Sequence, residues 1–108
     1  MDRRDDMMRH FPTILARWRG GDAQLWNITS SHPTLVILVT KEGNDGCLLI
    51  HCGTPDRIEA PRRWTGCNFA VRKANDMFDL IDESADARIL ECGISLNERA
   101  EKPWEKWN

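Results

Sequence analysis

Residues 34 to 52 read Thr34-Leu35-Val36-Ile37-Leu38-Val39-Thr40, Lys41-Glu42-Gly43-Asn44-Asp45-Gly46 and Cys47-Leu48-Leu49-Ile50-His51-Cys52. The first segment is rich in β-branched residues, which suit a pleated, half-buried surface. The middle segment concentrates the residue types that tight turns demand, with glycines available for positive φ. The third segment then reads as the returning strand. Both arms are apolar on both faces, so this hairpin belongs in the centre of a sandwich or barrel, or beneath a covering helix.

Working outward, Met77 to Glu83 and Arg88 to Leu96 flank Ser84-Ala85-Asp86-Ala87 as a last hairpin, with Phe78 and Leu80 facing inward. Between Gly66 and Arg72 the pattern alternates: Cys67, Phe69 and Val71 on one side, Asn68, Ala70 and Arg72 on the other. Pro55 to Pro61 holds two prolines, which suits a loop or edge segment rather than the middle of a ladder. Toward the amino terminus, Met7, Met8, Phe11, Ile14, Leu15 and Trp18 follow helical spacing, but Pro12 disfavours the α region at Phe11. The helix is therefore expected to stop near His10, and Thr13 to Arg19 to form a hairpin with Ala23 to Thr29 across Gly20-Gly21-Asp22. A kinked helix running through Trp18 is the competing reading. Past Leu96 the chain is polar apart from Ala100, Trp104 and Trp107, and Pro103 can open a short final helix.

The expected fold is mainly β (or α+β). It is an antiparallel meander of about six or seven strands, in a sandwich or partly open barrel, with a short N-terminal helix and a short C-terminal one. With 108 residues, 41% hydrophobic and 30% charged, residues 1–108 suit one domain with one core. The formal charge of -2 supplies no overall field for a polyanion, so nucleic acid is not an expected partner. No apolar run approaches the ~20 residues a helical membrane span requires. The charged start, Met1 to Asp6, is not followed by the apolar stretch of a leader, so the cytoplasm is the expected compartment.

In that compartment the four cysteines are expected to be reduced and to act as small apolar residues. Cys47 and Cys52 would lie about 16 Å apart along a strand, too far for a disulfide. Cys47, His51, Cys52 and Cys67 are zinc-binding residue types, but Cys47 and His51 would be about 13 Å apart and His51 and Cys52 would face opposite ways. A nucleophilic Cys52 using His10, His32 or His51 as base is the enzymatic alternative, and a zinc-stabilised domain another. No cofactor is implied. Asp76, Asp79, Asp82, Glu83 and Asp86 read as charges alternating along the last hairpin, without the central glycine of a calcium loop.

The segment from Pro55 to Trp64 concentrates Arg57, Arg62, Arg63 and Trp64, residue types enriched where partners bind. Asp56 and Glu59 offset two of the three positive charges, which favours a protein surface or a carboxylate-bearing ligand over a phosphate backbone. The expected function is a non-catalytic protein-interaction or ligand-binding module using these four residues. Homodimerisation through the Trp104 and Trp107 tail, or through an uncovered strand edge, is a further expectation.

Overall fold

In the computed structural model, which describes residues 3–29 and 33–103, the central hairpin forms as expected. β2 (Thr34–Thr40) pairs antiparallel with β3 (Cys47–Gly53), in a register running from Thr34 opposite Gly53 to Val39 opposite Leu48. Leu35, Ile37 and Val39 join Leu48, Ile50 and Cys52 in the main core. Their strand neighbours Leu38, Cys47 and Leu49 form a second, smaller buried cluster with Val36 packed against it. Two clusters on opposite faces are why neither arm alternates in polarity. The Cys47 thiol donates to the Glu101 carbonyl, and Lys102 Nζ to that of Asp45, which brings the chain after the last strand back to this hairpin.

In the turn, Asn44 Oδ1 accepts the Gly46 N–H at 2.9 Å, and Gly43 alone among residues 43–46 has positive φ. Gly46 is needed for a different reason: a Cβ there would lie 2.0 Å from the Arg99 carbonyl oxygen. Backbone proximity, rather than left-handed geometry, restricts this position to glycine.

The other elements are α1 (Arg3–Arg17), β1 (Asp22–Thr29), β4 (Arg57–Glu59), β5 (Arg63–Trp64), β6 (Ala70–Ala74), β7 (Met77–Asp82) and β8 (Ala87–Arg99). A turn of 3-10 helix, Glu83–Ala85, joins β7 to β8. Among the described residues, eight antiparallel strands make one curled half-barrel in the order β5-β1-β2-β3-β8-β7-β6, with β4 pairing with β8 off this path. The long β8 serves two sets of neighbours. Residues 88–90 pair with β4, and residues 93–99 pair with β3. Between them β8 bulges against β7: Glu91 has φ +50°, and Asp79 Oδ1 accepts its N–H at 2.9 Å. A bulge bends its strand, and here it stands where β8 changes partner.

The expected break in the first helix does not occur. α1 continues through Pro12 to Arg17, so Thr13 to Arg19 is not a hairpin arm, and β1 pairs with β2 instead. The competing kinked-helix reading describes this part of the chain better. The reason is tertiary: Phe11 and Leu15 on one face of the helix, and Trp18 just past its end, are all buried in the main core. At about 1.5–3 kcal/mol per large apolar side chain, their burial outweighs the ~3 kcal/mol cost of an interior proline. Phe11 meets Phe78 edge to face at 6.0 Å. Glu98 on β8 accepts from Arg17 and from Trp18 Nε1, fastening the end of the helix to the sheet.

Smaller differences concern boundaries. The strand expected from Gly66 begins at Ala70, although Cys67 is buried and Phe69 and Val71 pack on the core as the alternation requires. β8 runs on to Arg99 rather than stopping at Leu96. The expected final helix with Trp104 and Trp107 lies outside the described residues. Among the described residues, no helix is long and apolar enough to cross a membrane.

Candidate functional site

The half-barrel is drawn together by one carboxylate. Asp82, at the end of β7, is fully buried and accepts four hydrogen bonds: from Trp64 Nε1 at 2.8 Å, from the Asn68 N–H at 2.9 Å, and from the N–H and hydroxyl of Ser84. The Ser84 hydroxyl lies 3.3 Å from the Gly66 carbonyl. This network links the 63–68 segment, which pairs with β1, to β7 near the opposite end of the strand order. Burial pushes the Asp82 carboxyl up, but the hydrogen bonds from Ser84, Asn68 and Trp64 outweigh it and hold the group below the usual carboxylate range. The alternating-hairpin reading of the acidic residues thus fails at Asp82. Its local signal is Asp82-Glu83-Ser84, in which an Asp caps a following helical turn.

On the other side of Trp64 lies an open cleft of about 700 Å³. Arg63 and Thr65 line it from β5 and just beyond, Asp22 and Gln24 from β1, and Leu38 and Thr40 from β2, with Pro61, Ser84 and Ala85 among the other walls. The pairing explains the grouping. Gln24 stands between Arg63 and Leu38, and Asp22 stands opposite Thr40. These positions share the sheet face opposite Ala23, which points into the core. Trp64 belongs to both regions: its indole N–H is held by Asp82, its ring meets Phe69 at 5.7 Å, and it forms part of the cleft wall.

Of the four residues picked out from sequence, the structure brings Arg63 and Trp64 together in the cleft and leaves the other two outside its walls. Arg57, on β4, pairs with Glu59 at 2.8 Å, and Glu59 is shared with Arg88 at 3.5 Å. Arg62 is exposed, and its carbonyl accepts the Leu25 N–H. The guanidinium of Arg63, by contrast, has no hydrogen bond or ion pair to a described residue, and neither has the Asp22 carboxylate. Asp22, Gln24 and Thr40 were not picked out from sequence. They reach the site only through pairing between strands distant along the chain, and no local motif marks them.

The thiols occupy other places. All four cysteines are free and buried. Contact with Cys92, then burial, pushes the Cys52 thiol up, while burial and the nearby Asp82 charge push Cys67 up to about 11. Both changes favour the protonated, unreactive form at neutral pH. His51 lies on the β3 face opposite Cys52, between Val36 and Ser95, and His10 is exposed on α1. His32 lies outside the described residues. Cys47 sits in the smaller cluster and Cys52 and Cys67 in the main core. Among the described residues, no three His, Cys, Asp or Glu side chains are grouped as metal ligands.

Searches of protein-family models, of curated proteins and of solved structures find no match to this chain.

Proposed function

We propose that this protein is a non-catalytic binding module whose cleft takes a small carboxylate-bearing ligand, with Arg63 as anion receptor and Trp64 as a wall. The observation that carries this reading is an arginine without a partner among the described residues, lining a concave surface of about 700 Å³. That volume falls in the range of small-molecule sites. Its chemistry suits recognition: a guanidinium fork can take a carboxylate through two parallel hydrogen bonds, while Pro61 and Trp64 offer apolar contact. Four free, buried thiols suit work in a reducing compartment, and the cytoplasm is the proposed one.

The test is a titration of the ¹⁵N-labelled 108-residue chain with hexanoate and with its neutral counterpart hexanamide. Hexanoate is expected to shift the amide signals of Arg63, Trp64 and Thr65 saturably, and Arg63→Ala to abolish the shifts. Equal responses to the acid and the amide, or an unchanged response in Arg63→Ala, would remove the basis for the proposal.

A second reading is supported by the edge of β1. β5 pairs with β1 only at Ala23 and Gln24, with one further bond at Leu25, so the rest of that edge carries no paired strand among the described residues. Trp26 is 39% exposed and Ile28 61% exposed there. Such an edge suits a homodimer formed by strand addition.

A further inference from the structure

We infer that the ligand of this cleft is a zwitterion of free amino-acid type, its carboxylate on Arg63 and its ammonium on Asp22; this rests on the binding-module reading and adds the second charge. Arg63 is directly opposite Gln24, and Asp22 lies two residues before Gln24 on the same strand face. Asp22 is therefore a diagonal neighbour of Arg63, at a Cα separation of about 7–8 Å. Opposite charges on diagonal neighbours of a strand pair are within reach of one another. Here they do not: no ion pair joins them, and neither side chain bonds to any other described residue.

The cleft that both side chains line also has neutral residues in its walls, Gln24 and Thr40 among them. One guanidinium and one carboxylate, separated and facing a common cleft, form a dipole whose complement is a molecule with an adjacent anion and cation. In an α-amino acid those two groups are borne by a single carbon, so hydrogen bonds of about 2.8 Å at each end can reach both receptors at once. A simple carboxylic acid would satisfy Arg63 and leave Asp22 facing the apolar part of its ligand. A simple amine would do the reverse. Pro61 and the Trp64 wall favour an apolar side chain on the amino acid.

The experiment compares three probes on one skeleton by calorimetry with the 108-residue chain: L-leucine, N-acetyl-L-leucine, which keeps only the anion, and L-leucinamide, which keeps only the cation. L-leucine is expected to bind about five- to tenfold more tightly than either derivative, as the loss of one charge-assisted contact requires. Asp22→Asn is expected to weaken L-leucine about fivefold and to leave N-acetyl-L-leucine unchanged or tighter, since an acid that lowers the potential at Arg63 has been removed.

Equal, Arg63-dependent binding of L-leucine and N-acetyl-L-leucine would overturn the zwitterion and leave the carboxylate site standing. Tighter binding of both acids in Asp22→Asn would do the same, because Asp22 would then only attenuate Arg63. Failure of both acids to bind better than L-leucinamide would overturn the zwitterion and the carboxylate site together.

Discussion

The two sides of Trp64 differ in how their polar groups are used. On the inner side, Asp82 is fully buried and receives hydrogen bonds from three residues. No buried side-chain nitrogen or oxygen of the described residues lacks a partner. On the outer side, Arg63 and Asp22 face a cleft with no partner in the described chain. Both regions are rich in polar residues, and both depend on the same tryptophan. The difference separates polar groups that hold the fold from polar groups that remain free to meet something else, a distinction that residue type alone does not make.

The sharpest way to break this comparison is Asp82→Ala. It leaves the indole N–H of Trp64 and the N–H groups of Asn68 and Ser84 without their acceptor, and the expected loss is about 3 kcal/mol or more, read as the shift in urea unfolding free energy. A loss below about 1 kcal/mol would mean that the half-barrel holds together without this carboxylate.

The same group carries a pH signature. Because the folded carboxyl titrates below its unfolded value, its contribution is complete above the unfolded pKa of about 3.9 and is lost as pH falls through the lower folded pKa. The stability gap between wild type and Asp82→Asn should accordingly be widest near neutrality and should narrow on acidification below about pH 4. A gap that stays constant from pH 7 to pH 3 would assign the stabilisation to packing instead.

Trp64→Phe tests the shared residue. It keeps an aromatic ring in place but removes the N–H donated to Asp82, for an expected cost of about 2 kcal/mol, smaller than that of deleting the acceptor. The smallest effect belongs to the outer side. Arg63→Ala should change unfolding free energy by no more than about 0.5 kcal/mol, since the guanidinium supports nothing within the described chain. A cost comparable to that of Trp64→Phe would place Arg63 among the structural groups and take away the contrast.

The legibility of these regions follows the range of the interactions that build them. The β2–β3 hairpin could be read directly, because its apolar runs and its Asn44 turn are local signals. The last hairpin was legible for the same reason, with Phe78 and Leu80 buried as their alternation implies. Pro12 misled because a local rule about the residue before proline was overridden by burial of Phe11, Leu15 and Trp18 against a sheet assembled from distant residues. Asp82 looked like one of five surface acids, and only the approach of Trp64 and Asn68 made it an interior acceptor.

By itself the sequence determined a mainly antiparallel β chain with a central hairpin and an amino-terminal helix, because periodicity, turn residues and β-branched runs act over a few residues. The closing of the half-barrel through Asp82, and the placing of Arg63 and Asp22 on one sheet face, were decided only in the tertiary structure. The first rests on hydrogen bonds between residues 14 and 18 positions apart and the second on strand pairing some forty positions apart; both are set by which whole arrangement buries the apolar faces while satisfying the polar groups, a property no short segment contains.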